Sequence, residues 1–256
     1  MTERRKKIIS LVNNKGGVGK TTSAVNLAAG LAGKGRRVLL VDLDAQGSAS
    51  LSVGFTRGEL RPGSAEVILE GLPLEKAIRS KGALDVVPGS TGLFSADLAL
   101  ADARGRERIL SGILDPVRGD YDFIILDCPP SLGLLTVNAL TAADAYIVTM
   151  TPDYLAVEGL VNLLEAVEKI KAGIGHVGEL LGILLTLCDY RLNATREIIE
   201  LIRGHYKEKV FRVEIPGNVR LKEAPSFGKD IFSYAPGSTG AEAYRLLTSE
   251  VLGRIK

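Results

Sequence analysis

The chain has 256 residues, 46% of them hydrophobic, and a formal net charge of +2. That is apolar material for one large α/β unit or two small ones, and no apolar run approaches the roughly 18 residues of a membrane span. A near-neutral chain is not a globally basic nucleic-acid coat, and two distant cysteines, Cys128 and Cys188, without a C-x-x-C exclude a disulfide framework or zinc site and fit a reducing cytoplasm.

The basic start Met1-Thr2-Glu3-Arg4-Arg5-Lys6-Lys7 leads into an apolar run only a strand long, so it is no secretory signal, and 4–7 reads as a solvated tail. Residues 7–12 form an apolar, β-branched run suited to a buried parallel strand. A glycine-rich loop follows. Ala24, Leu27, Ala28 and Leu31 then mark one face of a helix that Gly33 and Gly35 stop. Residues 37–42 and 84–88 read as strands, with a Gly/Pro-rich loop over 57–63 between them. Strands are also expected at 123–127, 145–150 and 181–187, with another at 210–213 near the edge. Helical periodicity covers 157–171, 194–203 and 241–255. The alternation predicts a doubly wound, mostly parallel sheet flanked by helices, one domain over 1–256.

The loop Lys15-Gly16-Gly17-Val18-Gly19-Lys20-Thr21-Thr22 nearly meets the phosphate-loop pattern, with Asn14 where its first glycine belongs. Glycines let successive backbone N–H groups turn toward phosphate oxygens, and the next helix presents its positive end to them. Lys20 is expected on the β- and γ-phosphates and Thr21 on Mg²⁺. Lys15 is a second lysine that this cradle does not require. Two acidic strand ends complete the nucleotide site. Asp127 closes an apolar strand in the Walker-B manner and is expected to hold a water of the Mg²⁺ shell. Asp44, with Asp42 in support, is the candidate for orienting the attacking water and lies close enough to the metal to count with it. A lone Asp after a strand is ordinarily a turn or cap, but here three accompany a phosphate loop.

Those three segments, with Asp42-Leu43-Asp44-Ala45-Gln46-Gly47 and Asp127-Cys128-Pro129-Pro130-Ser131-Leu132 as the second and third, resemble the deviant-Walker ATPases. Asn218-Val219-Arg220-Leu221-Lys222-Glu223-Ala224-Pro225-Ser226 and the run from Gly228-Lys229 to Gly240-Ala241-Glu242 narrow the resemblance to the ParA/Soj partitioning ATPases, in their short form without an N-terminal helix-turn-helix domain. The resemblance implies slow, partner-stimulated hydrolysis of ATP with Mg²⁺. It implies an ATP-sandwich homodimer in which Lys15 reaches the phosphates of the other subunit. It also implies binding to non-specific double-stranded DNA and stimulation by a ParB-type centromere-binding protein, in a cytoplasmic, nucleoid-associated protein that uses no membrane. By the same resemblance Arg191 and Arg220 are DNA contacts, with Lys222, Arg196 and Lys229 weaker candidates, while Gly217 departs from the arginine common there. Residues 191–229 hold nine Lys/Arg against five Asp/Glu, a local excess in a nearly neutral chain. Pro216 and Asn218 are expected beside the adenine, although Pro-Gly-Asn is also a turn signal.

A MinD-like membrane-cycling ATPase shares both lysines and the carboxylates, but should end in a basic amphipathic helix with exposed bulky apolar residues. The ending Val251-Leu252-Gly253-Arg254-Ile255-Lys256 is short and carries a central glycine. An iron–sulfur reductase relative would need paired cysteines that this chain lacks. His176 and His205 are single and read as surface or capping residues. Cys128 reads as a small buried residue, and Tyr244, Leu247, Val251 and Ile255 as core.

Overall fold

The computed structural model describes residues 6–255. Seven strands form one sheet: β1 (Lys7–Val12), β2 (Val38–Asp42), β3 (Arg79–Lys81), β4 (Leu84–Val87), β5 (Phe123–Asp127), β6 (Ala145–Met150) and β7 (Glu179–Leu185). Their spatial order is β3-β4-β2-β5-β1-β6-β7, parallel throughout except for β3 against β4. Such a sheet buries both faces, which is why its central strands are apolar without alternation. Successive residues nonetheless serve opposite sides. Ile8, Leu39, Ile124 and Val148 join one core with the helices Leu134–Ala142, Tyr154–Ile174 and Asn193–Tyr206. Ile9, Leu40, Ile125 and Ile147 join the other, under the helices Lys20–Gly33 and Thr239–Arg254.

These last two helices lie very close. A Cβ on Gly30 would meet Thr248 Oγ1 at 2.2 Å, and Ser23 and Tyr244 share a buried hydrogen bond of 3.0 Å. Tyr244, Leu247 and Val251 are buried, and Ile255 packs against the same core. The apolar side of the last helix is therefore engaged within the protein.

The expected strand at 210–213 does not form. Val210 makes only an isolated bridge to Ile183. The backbone N–H groups of Arg212 and Val213 donate instead to the Glu250 carboxylate, at 2.9 and 3.1 Å, so a side chain from the last helix has replaced the ladder. β7 stops at Leu185, two residues before the expected end, because Leu187 takes a left-handed φ of 53°. β3 is a three-residue antiparallel strand hinged at Gly82, where φ is 60°. Of the basic run 4–7, Arg4 and Arg5 lie outside the described residues; Lys6 donates to the Gly119 carbonyl, and Lys7 opens β1.

Candidate functional site

The phosphate loop leaves β1, beside which the strand order reverses, at the carboxyl edge where parallel sheets bind ligands. Asn13 anchors it: the side-chain amide donates to the Thr149 carbonyl at 2.6 Å, and the amide oxygen accepts the Lys15 N–H at 2.8 Å. Gly17 and Gly19 adopt φ of 75° and 71°, conformations an L-residue resists. A Cβ on Gly16 or Gly17 would meet nothing within 4 Å, so this stretch faces open space. Thr186, just past β7, donates to the Val18 carbonyl at 2.9 Å and stands against Gly19. Sequence reading missed Thr186, since only the fold brings it 168 residues back to the loop.

The two lysines occupy different surroundings. Lys20 begins the Lys20–Gly33 helix and is 6% exposed. Lys15 is half exposed, its Nζ 3.3 Å from Asp153 Oδ2. Asp153 in turn accepts the Ala156 N–H at 2.9 Å as the N-cap of the Tyr154–Ile174 helix. Thr21 and Thr22 are partly buried on the first helical turn.

The strand register places the carboxylates side by side. Asp42 pairs with Asp127 across β2 and β5, and Leu11 of β1 pairs with Asp127 on its other flank. Both aspartates are fully buried. Asp42 accepts the Ser50 N–H at 2.9 Å, the Ser50 hydroxyl at 2.7 Å and the Asp44 N–H at 3.1 Å. Burial raises its pKa to about 6, although the bonds from Ser50 and Asp44 oppose the shift. Asp42 thus ties down a turn in which Asp44 accepts the Gln46 N–H at 2.9 Å and Gly47 is left-handed. Gly89 closes over it: a Cβ there would meet the Asp44 carbonyl at 2.6 Å and the Asp42 carboxylate at 2.8 Å.

Neither oxygen of Asp127 completes a hydrogen bond with a described residue. Burial, then the charge of Asp42, pushes its pKa up to about 8, while Thr21 and Lys20 pull the other way. A buried, orphaned carboxylate facing a threonine and a lysine fits a hard, hydrated cation such as Mg²⁺. The stability cost has a sign. Below about pH 4 Asp127 is protonated in folded and unfolded chains alike; between about 4 and 8 only the unfolded chain ionises, so stability falls, and above about 8 that contribution is fully lost. Asp127→Asn should therefore gain on wild type in melting temperature as pH rises from 5 to 8 without nucleotide, by several degrees or more on the order-of-magnitude scale for a chain this size. Parallel thermal melts at both pH values check it; a constant difference would contradict the burial of this charge. Cys128 beside it is a buried thiol whose pKa burial raises, an inert packing residue.

A groove of about 800 Å³ runs between the loop after β7 and the Pro216–Asn218 turn, lined by Arg191, Arg196, Lys222, Pro216, Asn218 and Cys188, among others. It brings the adenine candidates together with three of the cationic candidates. Asn218 also acts as a helix cap: its oxygen accepts the Arg220 N–H at 2.8 Å, and its amide donates to Thr239 Oγ1 at 2.7 Å. Arg220 lies outside that groove's lining, paired with Glu223 at 2.8 Å, and Arg191 is paired with Asp189 at 2.6 Å. The charge count over 191–229 stopped short of Asp189 and so overstated the free positive charge. Lys229 lies in another cleft, of about 630 Å³, beside Lys34, Lys81 and Arg245.

A mostly parallel sheet, a glycine loop leading from its first strand into a helix and carboxylates on two adjoining strand ends define the P-loop nucleoside triphosphatases. The AAA domain family model matches residues 6–176. Chromosome-partitioning ATPase Soj of Thermus thermophilus is 44% identical over 251 residues, covering 97% of this chain and 96% of the relative. Sporulation initiation inhibitor protein Soj of Bacillus subtilis is 42% identical over 247 residues, covering 96% and 98%. Cobyrinic acid a,c-diamide synthase of Mycobacterium smegmatis, solved with an ATP analog and magnesium, superimposes with a TM-score of 0.83 at 33% identity, covering 96% and 94%. The chain belongs to the ParA/Soj family of chromosome-partitioning ATPases.

Proposed function

We propose that this protein is a DNA-partitioning ATPase whose ATP-bound sandwich dimer holds DNA non-specifically and lets go after hydrolysis stimulated by a ParB-type partner. Residues 1–256 act as one ATPase unit. The observation that carries the reading is the unequal placement of two lysines in one phosphate loop. Lys20, buried on the helix beside Asp127, serves the protomer's own nucleotide. Lys15, half exposed and held by a surface carboxylate, is free to serve a nucleotide across an interface.

In this mechanism the N–H groups of residues 16–21 and the Lys20 ammonium hold the triphosphate. Thr21 would hold Mg²⁺ directly and Asp127 a water of its shell, and the ion would supply positive charge against the phosphate oxygens. Asp44, fixed through Asp42, orients water at the γ-phosphate. Little covalent chemistry is asked of the protein, so rate follows positioning. Lys15 from each partner offsets the repulsion of two facing polyanions, which makes dimerisation ATP-dependent. Pro216 and Asn218 border the base.

DNA is assigned to Arg191, Arg220 and Lys222, doubled in the dimer so that avidity couples DNA affinity to ATP. Arg191→Glu with Arg220→Glu should weaken binding of mixed-sequence duplex at least about tenfold near 0.1 M salt and flatten the salt dependence, with ATP turnover in the absence of DNA retained. Fluorescence anisotropy with an ATP analogue and Mg²⁺ measures it, and unchanged affinity would remove these arginines from the interface. A membrane-cycling role fits less well, because the last helix commits its apolar face to the core. Flotation with ATP and anionic vesicles should leave the protein unbound.

A further inference from the structure

Both arginines assigned to DNA are already engaged. Asp189 grips Arg191 with two oxygens, at 2.8 Å from Nε and 2.6 Å from Nη2, and one oxygen also accepts the Arg191 N–H at 3.2 Å. Glu223 Oε2 accepts from Arg220 Nη1 at 2.8 Å and from the Tyr234 hydroxyl at 3.1 Å. Tyr234 is itself stacked on Phe227, with ring centroids 5.1 Å apart, so Glu223 is held in place rather than free to swing. The pairs lie at the surface: the Arg191 side chain is 89% exposed and that of Arg220 58%, so a phosphate can reach either guanidinium. Lys222 and Arg196, by contrast, form no ion pair among the described residues.

A carboxylate offers a guanidinium the same forked geometry as a phosphate. We infer that Asp189 and Glu223 are intramolecular competitors for the DNA phosphates, occupying Arg191 and Arg220 in the place a phosphate would take. They thereby hold the affinity of a single protomer low and leave DNA binding dependent on the doubled patch of the dimer. The inference rests on the DNA-binding reading above and adds two acids that oppose it.

The competition has a thermodynamic signature. When DNA displaces an acid, the counterion released from the phosphate is partly offset by one recruited to the freed carboxylate. Removing the acid should therefore raise affinity and also steepen the salt dependence toward the roughly −0.9 per phosphate contact of an unopposed cation. Exposed pairs are weak, so each is expected to suppress binding about threefold. Two pairs give about tenfold per protomer, and four give about a hundredfold in the dimer.

The test uses Asp189→Asn, Glu223→Gln and the double variant, with Glu197→Gln as a control for net charge. Glu197 is exposed on the Asn193–Tyr206 helix of the same region and forms no ion pair among the described residues. Affinity for mixed-sequence duplex is read by anisotropy at several salt concentrations, without nucleotide and with a non-hydrolysable ATP analogue and Mg²⁺. The double variant should bind about tenfold tighter as monomer and about the square of that as dimer, with a steeper salt slope, while Glu197→Gln changes little. If both acid variants tighten binding no more than Glu197→Gln, or leave the slope unchanged, the competition does not exist even though Arg191→Glu with Arg220→Glu abolishes binding. If the arginine reversals leave binding intact, the DNA assignment and this inference fall together.

Discussion

Asp44→Ala is expected to lower kcat for ATP by about a hundred- to a thousandfold while leaving nucleotide affinity within a few-fold of wild type. The physical reason lies in how the turn is held. Asp44→Ala gives up the bond from the Gln46 N–H, but Asp42 still accepts from the residue 44 backbone and from Ser50, and Gly89 packs against the residue 44 carbonyl, so most of what holds residues 42–47 survives. The carboxylate proposed to orient water is lost, a function that would be used only as the transition state forms. The variant should therefore accumulate as an ATP-bound dimer on DNA. Single-turnover hydrolysis and a filter-binding chase report the two halves of this expectation. Rapid hydrolysis by Asp44→Ala would move the water-positioning role elsewhere.

Lys20→Ala should act earlier, at binding. Its ammonium is buried beside a carboxyl whose pKa burial and Asp42 raise, and its charge is among the few influences favouring ionised Asp127. Truncation removes the desolvated contact proposed for the phosphates and also makes the Asp127 carboxyl harder to ionise. Loss of one such buried charge contact costs about 2–5 kcal/mol, so ATP affinity should fall at least about thirtyfold. Calorimetric titration with Mg·ATP measures this, and binding within a few-fold of wild type would contradict the assignment of Lys20 to the phosphates.

Much of this site was legible from the sequence because the chemistry is local. The apolar runs before Asn13, Asp44 and Asp127 specify buried parallel strands whose carboxyl ends share one sheet edge, while the order β2-β5-β1 that makes them neighbours is a property of the fold. The glycine positions follow from the same loop: Gly17 and Gly19 have the left-handed backbone that a phosphate cradle needs. What escaped was set by long-range partners. Thr186 supports Val18 from the far side of the sheet, and Glu250 takes the N–H groups that residues 212 and 213 would have given to a strand. Leu187 ends β7 through a backbone conformation its side chain does not announce. Charge counting failed for a related reason. It treats Arg191 and Arg220 as free, whereas Asp189 and Glu223 sit where helical and turn geometry brings them into contact.

The exposed Lys15–Asp153 pair is of a kind worth at most about 1 kcal/mol, too little to keep Lys15 from a triphosphate presented by a second protomer. The central claim is that this lysine makes assembly depend on ATP. Sedimentation velocity of wild type and Lys15→Gln, each with a non-hydrolysable ATP analogue and Mg²⁺, tests it most directly. The account predicts that wild type shifts from the 27.2 kDa chain mass to twice that value on adding nucleotide. Lys15→Gln should bind the nucleotide yet stay at the single-chain mass. A Lys15→Gln protein that dimerises as wild type does would contradict the account.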